Sequence, residues 1–170
     1  CRTAAGNRPL PVPASNINFY LEGRITTMSE DKKKDRYQIA TDYHNRGYNC
    51  CQSVCFAFLD QVDLDEKTLF RVTEGLGLGM GGMEGTCGAI SAATVLAGLK
   101  CSTADLEHPN SKAITYKDAK ACVKAFKDRN GTVICRELKG LDSPDKKVVR
   151  TCPDCIKDAV EIIEATLYGE

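Results

Sequence analysis

The sequence has little histidine, no net charge and no long apolar run, and each shortage excludes a class of function. Its 23 basic and 23 acidic residues cancel, so we expect neither nucleic acid nor a membrane surface as a partner. No stretch approaches the roughly 18–20 apolar residues of a membrane span. The only two histidines, His44 and His108, are too few for a histidine-rich metal site. His44 falls on the inward face of a predicted helix, where a core position is expected.

Several familiar catalytic patterns are also missing. No Ser-His-Asp triad and no paired carboxylates stand out. The glycines of Gly77-x-Gly79-x-x-Gly82 match a dinucleotide fingerprint in spacing. They follow a predicted helix rather than a strand, however, so the match is not expected to bind a nucleotide. No Lys-Ser or Lys-Thr pair follows to complete a phosphate loop.

The amino-terminal segment lacks a positive region followed by an apolar run, so it does not look like a secretory signal peptide. Residues 1–27, which include Cys1, are expected to be a leader or an expression-derived segment, and Met28 looks like a natural start. Residues 28–170 are then predicted to form a single helical domain. Together with the high cysteine content, this favours a reducing, cytoplasmic location.

Helical periodicity dominates the chain after Met28. No convincing strand is found there, and the predicted fold is an all-α, compact bundle of about six or seven helices. Side chains predicted to face inward include Val72 in the third helix and Leu99 in a later one. The predicted helices span about 30–46, 50–59, 66–74, 87–100, 111–129, 134–139 and 151–168.

A glycine-rich run over 75–88 leads into a helix of small apolar residues, which is predicted to be central. Glycine is common where the backbone must be approached closely or must adopt positive φ angles. Thr86 is a plausible N-cap of the helix, which would place Cys87 in its first turn. The free amides and the helix dipole there favour a thiolate. Cys87 is therefore a candidate ligand or redox thiol.

Four of the ten cysteines lie at predicted helix starts. Helices of a bundle can bring their ends together, so these four side chains can converge on one site. Four thiolates suit a tetrahedral zinc ion or an iron–sulfur cluster. Cysteine is also a common buried residue, and Cys101 and Cys122 are interpreted as structural. The four at helix starts are Cys50, Cys87, Cys135 and Cys152.

The sequence Cys152-Pro-Asp-Cys155 is a separate signal. A C-x-x-C at a helix start lowers a thiol pKa in dithiol oxidoreductases, so Cys152 and Cys155 are candidate catalytic residues. The preceding strand of a thioredoxin-like unit is absent. No second C-x-x-C is present to complete a common zinc site. Cys51 and Cys55 share one helix face as possible extra ligands, although a packing role is expected for Cys55.

Four blocks of the sequence resemble the bacterial and archaeal C-GCAxxG-C-C family of redox-active proteins. The blocks are Gly47-Tyr-Asn-Cys50-Cys-Gln-Ser-Val54, Thr86-Cys87-Gly88-Ala89, Ile134-Cys135-Arg-Glu-Leu138-x-Gly140 and Cys152 with the helix from Ile156. The resemblance extends over residues 30–168 and carries the four family cysteines onto Cys50, Cys87, Cys135 and Cys152. Alanine, at Ala92, replaces the last glycine of the second block. Cys51 and Cys155 are additional to the family set.

That family is similar to the iron–sulfur part of split-Soret cytochromes. This resemblance implies a [2Fe–2S] cluster held by the four cysteines. Haem is not expected, because no C-x-x-C-H is present. The site would serve an oxidoreductase or electron carrier with an unidentified redox partner, and the sequence leaves open whether the chain forms an oligomer.

Three hypotheses remain open at this point. The first is a redox protein whose cysteines hold the cluster or cycle between thiol and disulfide. The second is a structural zinc module, and the third is a helical interaction domain whose cysteines only pack. Metal analysis separates the first two, and the reactivity of the four cysteines relative to Cys122 tests the third.

Overall fold

The computed structural model describes residues 35–169 as a succession of helices. No β-strand occurs among these residues, whose one isolated bridge joins Thr86 and Ile134. Six of the eight α-helices have eight or more residues, so the predicted all-α class is confirmed. The helices are α1 (Arg36–Asn45), α2 (Cys50–Ala57), α3 (Glu66–Glu74), α4 (Gly77–Met80), α5 (Gly88–Cys101), α6 (Lys112–Asn130), α7 (Cys135–Leu138) and α8 (Cys152–Ile163). The predicted leader over residues 1–27, Cys1 and Met28 lie outside the described residues.

Side chains set the starts of several helices. Asn49 caps α2 in a reciprocal capping box with Gln52. Asp65 accepts from an amide at the start of α3, and Thr151 does the same at the start of α8. These hydrogen bonds satisfy amides that have no partner inside a helix. The starts of α2 and α8, which carry Cys50 and Cys152, are therefore fixed locally as well as by packing.

Helix α5 lies at the centre of the fold. Its small side chains at Ala89, Ala92, Ala93 and Ala97 are fully buried. Small residues allow neighbouring helices to approach closely, and α2, α6 and α8 all pack against α5. The prediction of a glycine-rich loop leading into a central small-residue helix is confirmed.

The structure corrects several local predictions. Helix α5 begins at Gly88 and its N-cap is Cys87, so Thr86 is not the cap. Val72 and Leu99 are 53% and 39% exposed rather than inward, because each lies at the edge of the apolar stripe of its helix. The last helix does not stay α-helical to its end, since residues 164–168 form a π-helical turn.

The helices of the described part of the chain are all too short or too polar to cross a membrane.

Candidate functional site

Cys50, Cys87, Cys135 and Cys152 line one cavity of about 230 Å³. Cys50 and Cys152 are half-buried, whereas Cys87 and Cys135 are buried. The rest of the lining comes from His44, Asn49, Leu78, Gly88 and Lys139. The structure thus brings together the four cysteines that the sequence placed at helix starts.

Each of these cysteines stands at the amino-terminal end of a different helix. Cys50, Cys135 and Cys152 are the first residues of α2, α7 and α8, and Cys87 is the N-cap of α5. Backbone hydrogen bonds tie two of them to neighbouring segments. The Cys87 amide donates to Val133 and the Cys135 amide to Gly85. The cavity is therefore formed by four helix starts that are partly joined through their backbones.

The glycine-rich run allows these segments to pack at very short range. A Cβ atom on Gly77 would collide with Cγ of Asn49, and one on Gly79 would lie 2.5 Å from Cβ of Cys135. A Cβ on Gly88 would meet the carbonyl oxygen of Leu76 at 2.9 Å. The close approach predicted for this run is therefore made by the chain itself, and it positions Cys135 and the capping residue before Cys50.

Replacing Gly79 with alanine tests this account. Gly79 has φ +57°, and Gly81 has φ +85° with nothing within 4 Å of the added Cβ. Both alanine variants carry the backbone cost of a positive φ, but only Gly79→Ala also clashes with Cys135. We expect Gly79→Ala to lose about 1–3 kcal/mol more unfolding free energy than Gly81→Ala in urea denaturation. Equal losses in the two variants would contradict the packing role of Gly79.

Cys152 has two polar neighbours in the cavity. The Nζ atom of Lys139 donates to its Sγ at 3.1 Å, and the Cys50 thiol is hydrogen-bonded to the same sulfur. The Cys50 hydrogen bond, followed by the contact with Lys139, outweighs burial and lowers the pKa of Cys152 to about 5. The same hydrogen bond raises the pKa of Cys50. The pair is therefore a thiolate at Cys152 and a thiol at Cys50.

Cys87 forms a second pair with Cys155. The Cys155 thiol is hydrogen-bonded to the Cys87 sulfur, which lowers the pKa of Cys87 and raises that of Cys155. The amides of Ala89 and Ile90 also lower the pKa of Cys87, although the sulfur completes no full capping hydrogen bond. Cys155 is 2% exposed and does not belong to the cavity lining. In the reduced structure, Cys152 and Cys155 each have a cysteine partner on another helix, and the catalytic role of the Cys152–Cys155 motif stays a prediction.

The remaining cysteines differ in their surroundings. Burial raises the pKa of Cys135. Cys135 lines the cavity but belongs to neither the Cys50–Cys152 pair nor the Cys87–Cys155 pair. Cys51 and Cys55 are fully buried in the core and hydrogen-bonded to each other. The Cys55 sulfur also faces the carbonyl oxygen of Ala92 at 4.0 Å.

Sequence reasoning missed two polar residues of the cavity. Lys139 lies four residues after Cys135, which is about one helical turn. This spacing could have predicted that the lysine lies on the same side as the cysteine. His44 was expected in the core, but it lines the cavity, and its Nδ1 lies 3.0 Å from the carbonyl oxygen of Tyr48. Lys139 places a positively charged group beside the Cys152 sulfur.

The nine cysteines of the described chain are free thiols. Within residues 35–169, no group of three or more His, Cys, Asp or Glu side chains is gathered closely enough to hold a metal ion.

These observations define an all-α, cysteine-rich protein in which helix-start thiols share one cavity. A sequence model of the family described as "Putative redox-active protein (C_GCAxxG_C_C)" matches residues 48–166. The chain belongs to this family, as the resemblance indicated. No curated protein and no solved structure matched the chain significantly.

Proposed function

We propose that the four-cysteine cavity is a redox centre that works by thiol/disulfide exchange, with Cys152 as the attacking thiolate and Cys50 as its partner. The observation that carries this proposal is the position of the Cys152 sulfur between Lys139 and the Cys50 thiol. A thiolate is the nucleophile in disulfide exchange. Both cysteines are half-buried at the cavity, so a substrate can reach them.

The reaction follows from these positions. The Cys152 thiolate attacks one sulfur of a substrate disulfide, forms a mixed disulfide and releases the other substrate sulfur as a thiolate. Cys50 then gives its proton to the substrate thiolate that was released first and attacks Cys152 in that mixed disulfide. The products are a Cys50–Cys152 disulfide and a second substrate thiolate. Two electrons pass from the protein to the substrate, and the reverse sequence oxidises a dithiol.

Lys139 is expected to keep Cys152 ionised. Replacing Lys139 with glutamine removes the donated proton and the positive charge, so the pKa of Cys152 should rise from about 5. The rate of alkylation by iodoacetamide follows the thiolate fraction, which falls as the pH drops through the pKa. We expect the inflection of the rate against pH to move upward, with about a tenfold loss of rate near pH 6 for a rise of two units.

The matched control is Lys120→Gln, which removes an exposed lysine on α6 far along the chain from Cys152. Its pH profile should overlay that of the unmodified protein. An unchanged inflection in Lys139→Gln would show that the lysine does not stabilise the thiolate.

A second candidate function is supported by the number of cysteines at the cavity. Cys50, Cys87, Cys135 and Cys152 offer the four-cysteine set that iron–sulfur clusters use, around a space of about 230 Å³. The kind and number of donors match those of a cluster such as [2Fe–2S], which would supply one-electron transfer when bound, but the four sulfurs would have to move closer together to hold it. Lys139 and the helix-start amides would then offset the charge of the sulfurs and tune the potential.

Cys135 separates the two candidates. It lines the cavity, but the exchange reaction does not use it. A Cys135→Ser variant should still form the Cys50–Cys152 disulfide when treated with one equivalent of oxidised glutathione. Under the cluster hypothesis, the same variant should lose the visible absorbance, iron and acid-labile sulfide of anaerobically purified protein.

Metal and sulfide analysis of the anaerobic protein completes the test. A colourless protein without iron that forms the Cys50–Cys152 disulfide supports exchange as the resident chemistry. A brown protein with iron and sulfide, lost in Cys135→Ser, supports the electron carrier. Stoichiometric zinc without colour would support the structural module. Cysteines at the cavity that react no faster than Cys122 would support the interaction domain.

A further inference from the structure

We propose that Cys87 and Cys155 form a second, buried thiol/disulfide couple that receives oxidising equivalents from the Cys50–Cys152 disulfide by internal exchange. This inference rests on the proposed exchange function of the cavity. It assigns a chemical role to the thiol pair behind the cavity, which the reaction at Cys50 and Cys152 does not use.

The positions of the sulfurs provide a continuous path. Cys155 lies one turn after Cys152 in the first part of α8, at the C-x-x-C spacing that permits a transient disulfide. Its thiol is hydrogen-bonded to Cys87 on the neighbouring helix α5. Cys87 in turn lines the same cavity as Cys50 and Cys152. Cys155 therefore has a possible exchange partner on each side.

Burial makes Cys152 the entry point to this path. Cys155 is 2% exposed and Cys87 is 5% exposed, so an external disulfide has little access to either sulfur. Cys152 is half-buried at the cavity. An oxidant that reacts at the cavity is therefore expected to meet Cys152 before the more deeply buried Cys87 and Cys155.

The first internal step is an attack by Cys155 on the Cys152 sulfur of the Cys50–Cys152 disulfide. The Cys155 proton passes to the Cys87 thiolate along their hydrogen bond. A Cys152–Cys155 bond forms, the Cys50–Cys152 bond breaks, and Cys50 leaves as a thiolate. No external electrons are required, because the step exchanges one disulfide bond for another.

The second step closes the inner disulfide. Cys87 gives its proton to Cys50 through the cavity and attacks Cys155, while Cys152 leaves as a thiolate beside Lys139. Cys152 is a good leaving group for the same reason that it is a good nucleophile in the first reaction. The net change converts one outer disulfide and one inner thiol–thiolate pair into one inner disulfide and one outer thiol–thiolate pair. Charge and protons are conserved within the protein.

Peptide mapping can follow this transfer in the full chain. Trypsin leaves Cys152 and Cys155 together on the peptide 151–157, Cys50 on 47–67 and Cys87 on 72–100. Reduced, metal-free protein is mixed with one equivalent of oxidised glutathione, quenched in acid at successive times and blocked with N-ethylmaleimide. We expect 151–157 to be linked first to 47–67 and later to 72–100.

The Cys155→Ser variant should stop at the first link and accumulate the Cys50–Cys152 disulfide. Cys122→Ser is the matched control, since it removes another buried thiol, on α6, and should transfer as the unmodified protein does. In Cys152→Ser, the link to 72–100 through Cys155 should not form, because its entry point is missing.

The outcomes distinguish the two levels of the proposal. A lasting Cys50–Cys152 link in the unmodified protein, with Cys87 and Cys155 still blocked as thiols, overturns the transfer but leaves the exchange function intact. A Cys87–Cys155 link that forms in Cys152→Ser also overturns it. Absence of any Cys50–Cys152 link in both the unmodified protein and Cys155→Ser contradicts the exchange function itself.

Discussion

Replacing Cys152 with serine is expected to abolish the fast reaction of the protein with disulfide reagents. Cys152 is the cavity thiol whose pKa is lowered to about 5, so it is ionised at neutral pH. A serine hydroxyl stays protonated there and does not attack disulfides. Cys50 is not expected to take over: its hydrogen bond to Cys152 is lost in this variant, but burial still raises the pKa of its thiol. Any reaction of the variant with disulfide reagents should be slow and should come from the other thiols.

The measurement is the time course of thionitrobenzoate release from a small aromatic disulfide under anaerobic conditions. The unmodified protein should show a rapid phase that Cys152→Ser lacks completely. Cys122→Ser should retain the rapid phase, because Cys122 is fully buried on α6. A rapid phase that survives in Cys152→Ser would assign the reactive thiolate to another residue.

This prediction depends on a pairing that spacing alone does not reveal. The sequence identifies four helix-start cysteines, and the structure places all four at one cavity. The C-x-x-C spacing suggested that Cys152 works with Cys155. In the structure each of them pairs instead with a cysteine from another helix, Cys50 or Cys87. Helix periodicity predicts which residues share a face, but the contacts between helices depend on packing over distances of many residues.

The glycine-rich run shows a different limit. Its composition predicts close backbone approach, and that is what Gly77 and Gly79 provide. Composition does not show what approaches, which is the Asn49 side chain and the Cβ of Cys135. It also gives no sign of the positive φ angles at Leu78, at 51°, and at Met80, at 61°. Residues with a Cβ rarely adopt this conformation, so composition alone would not place it at a leucine and a methionine.

The second large effect is expected from Asp158, which anchors the start of α8. Its carboxylate is buried and accepts from Nε and Nη2 of Arg150 at 2.9 and 3.0 Å and from Arg129 at 3.1 Å. Burial alone would raise the pKa of Asp158, but these hydrogen bonds outweigh it and lower the pKa. Arg150 directly precedes Thr151, the N-cap of α8. The ion pairs therefore fix the segment that presents Cys152.

Asp158→Asn keeps the shape of the side chain but removes its charge. Breaking a buried ion pair costs about 3–5 kcal/mol, and we expect about 2–3 kcal/mol here because both arginines are partly exposed and can be rehydrated. The control is Asp128→Asn, which breaks an exposed pair with Lys124 and should cost less than about 0.5 kcal/mol. Urea denaturation at neutral pH measures the loss of unfolding free energy in both variants. Equal losses would contradict the anchoring role of Asp158.

The pH dependence of this loss identifies the charge as its cause. A carboxylate whose pKa is lower in the folded state stabilises the protein above its unfolded pKa of about 3.9. That contribution disappears as the pH falls through the lower folded value. The difference in unfolding free energy between the unmodified protein and Asp158→Asn should therefore be largest at neutral pH and shrink below about pH 4. A difference that stays constant down to pH 3 would point to lost packing at the start of α8 rather than to the lost ion pairs, and it would leave the position of Cys152 dependent on shape alone.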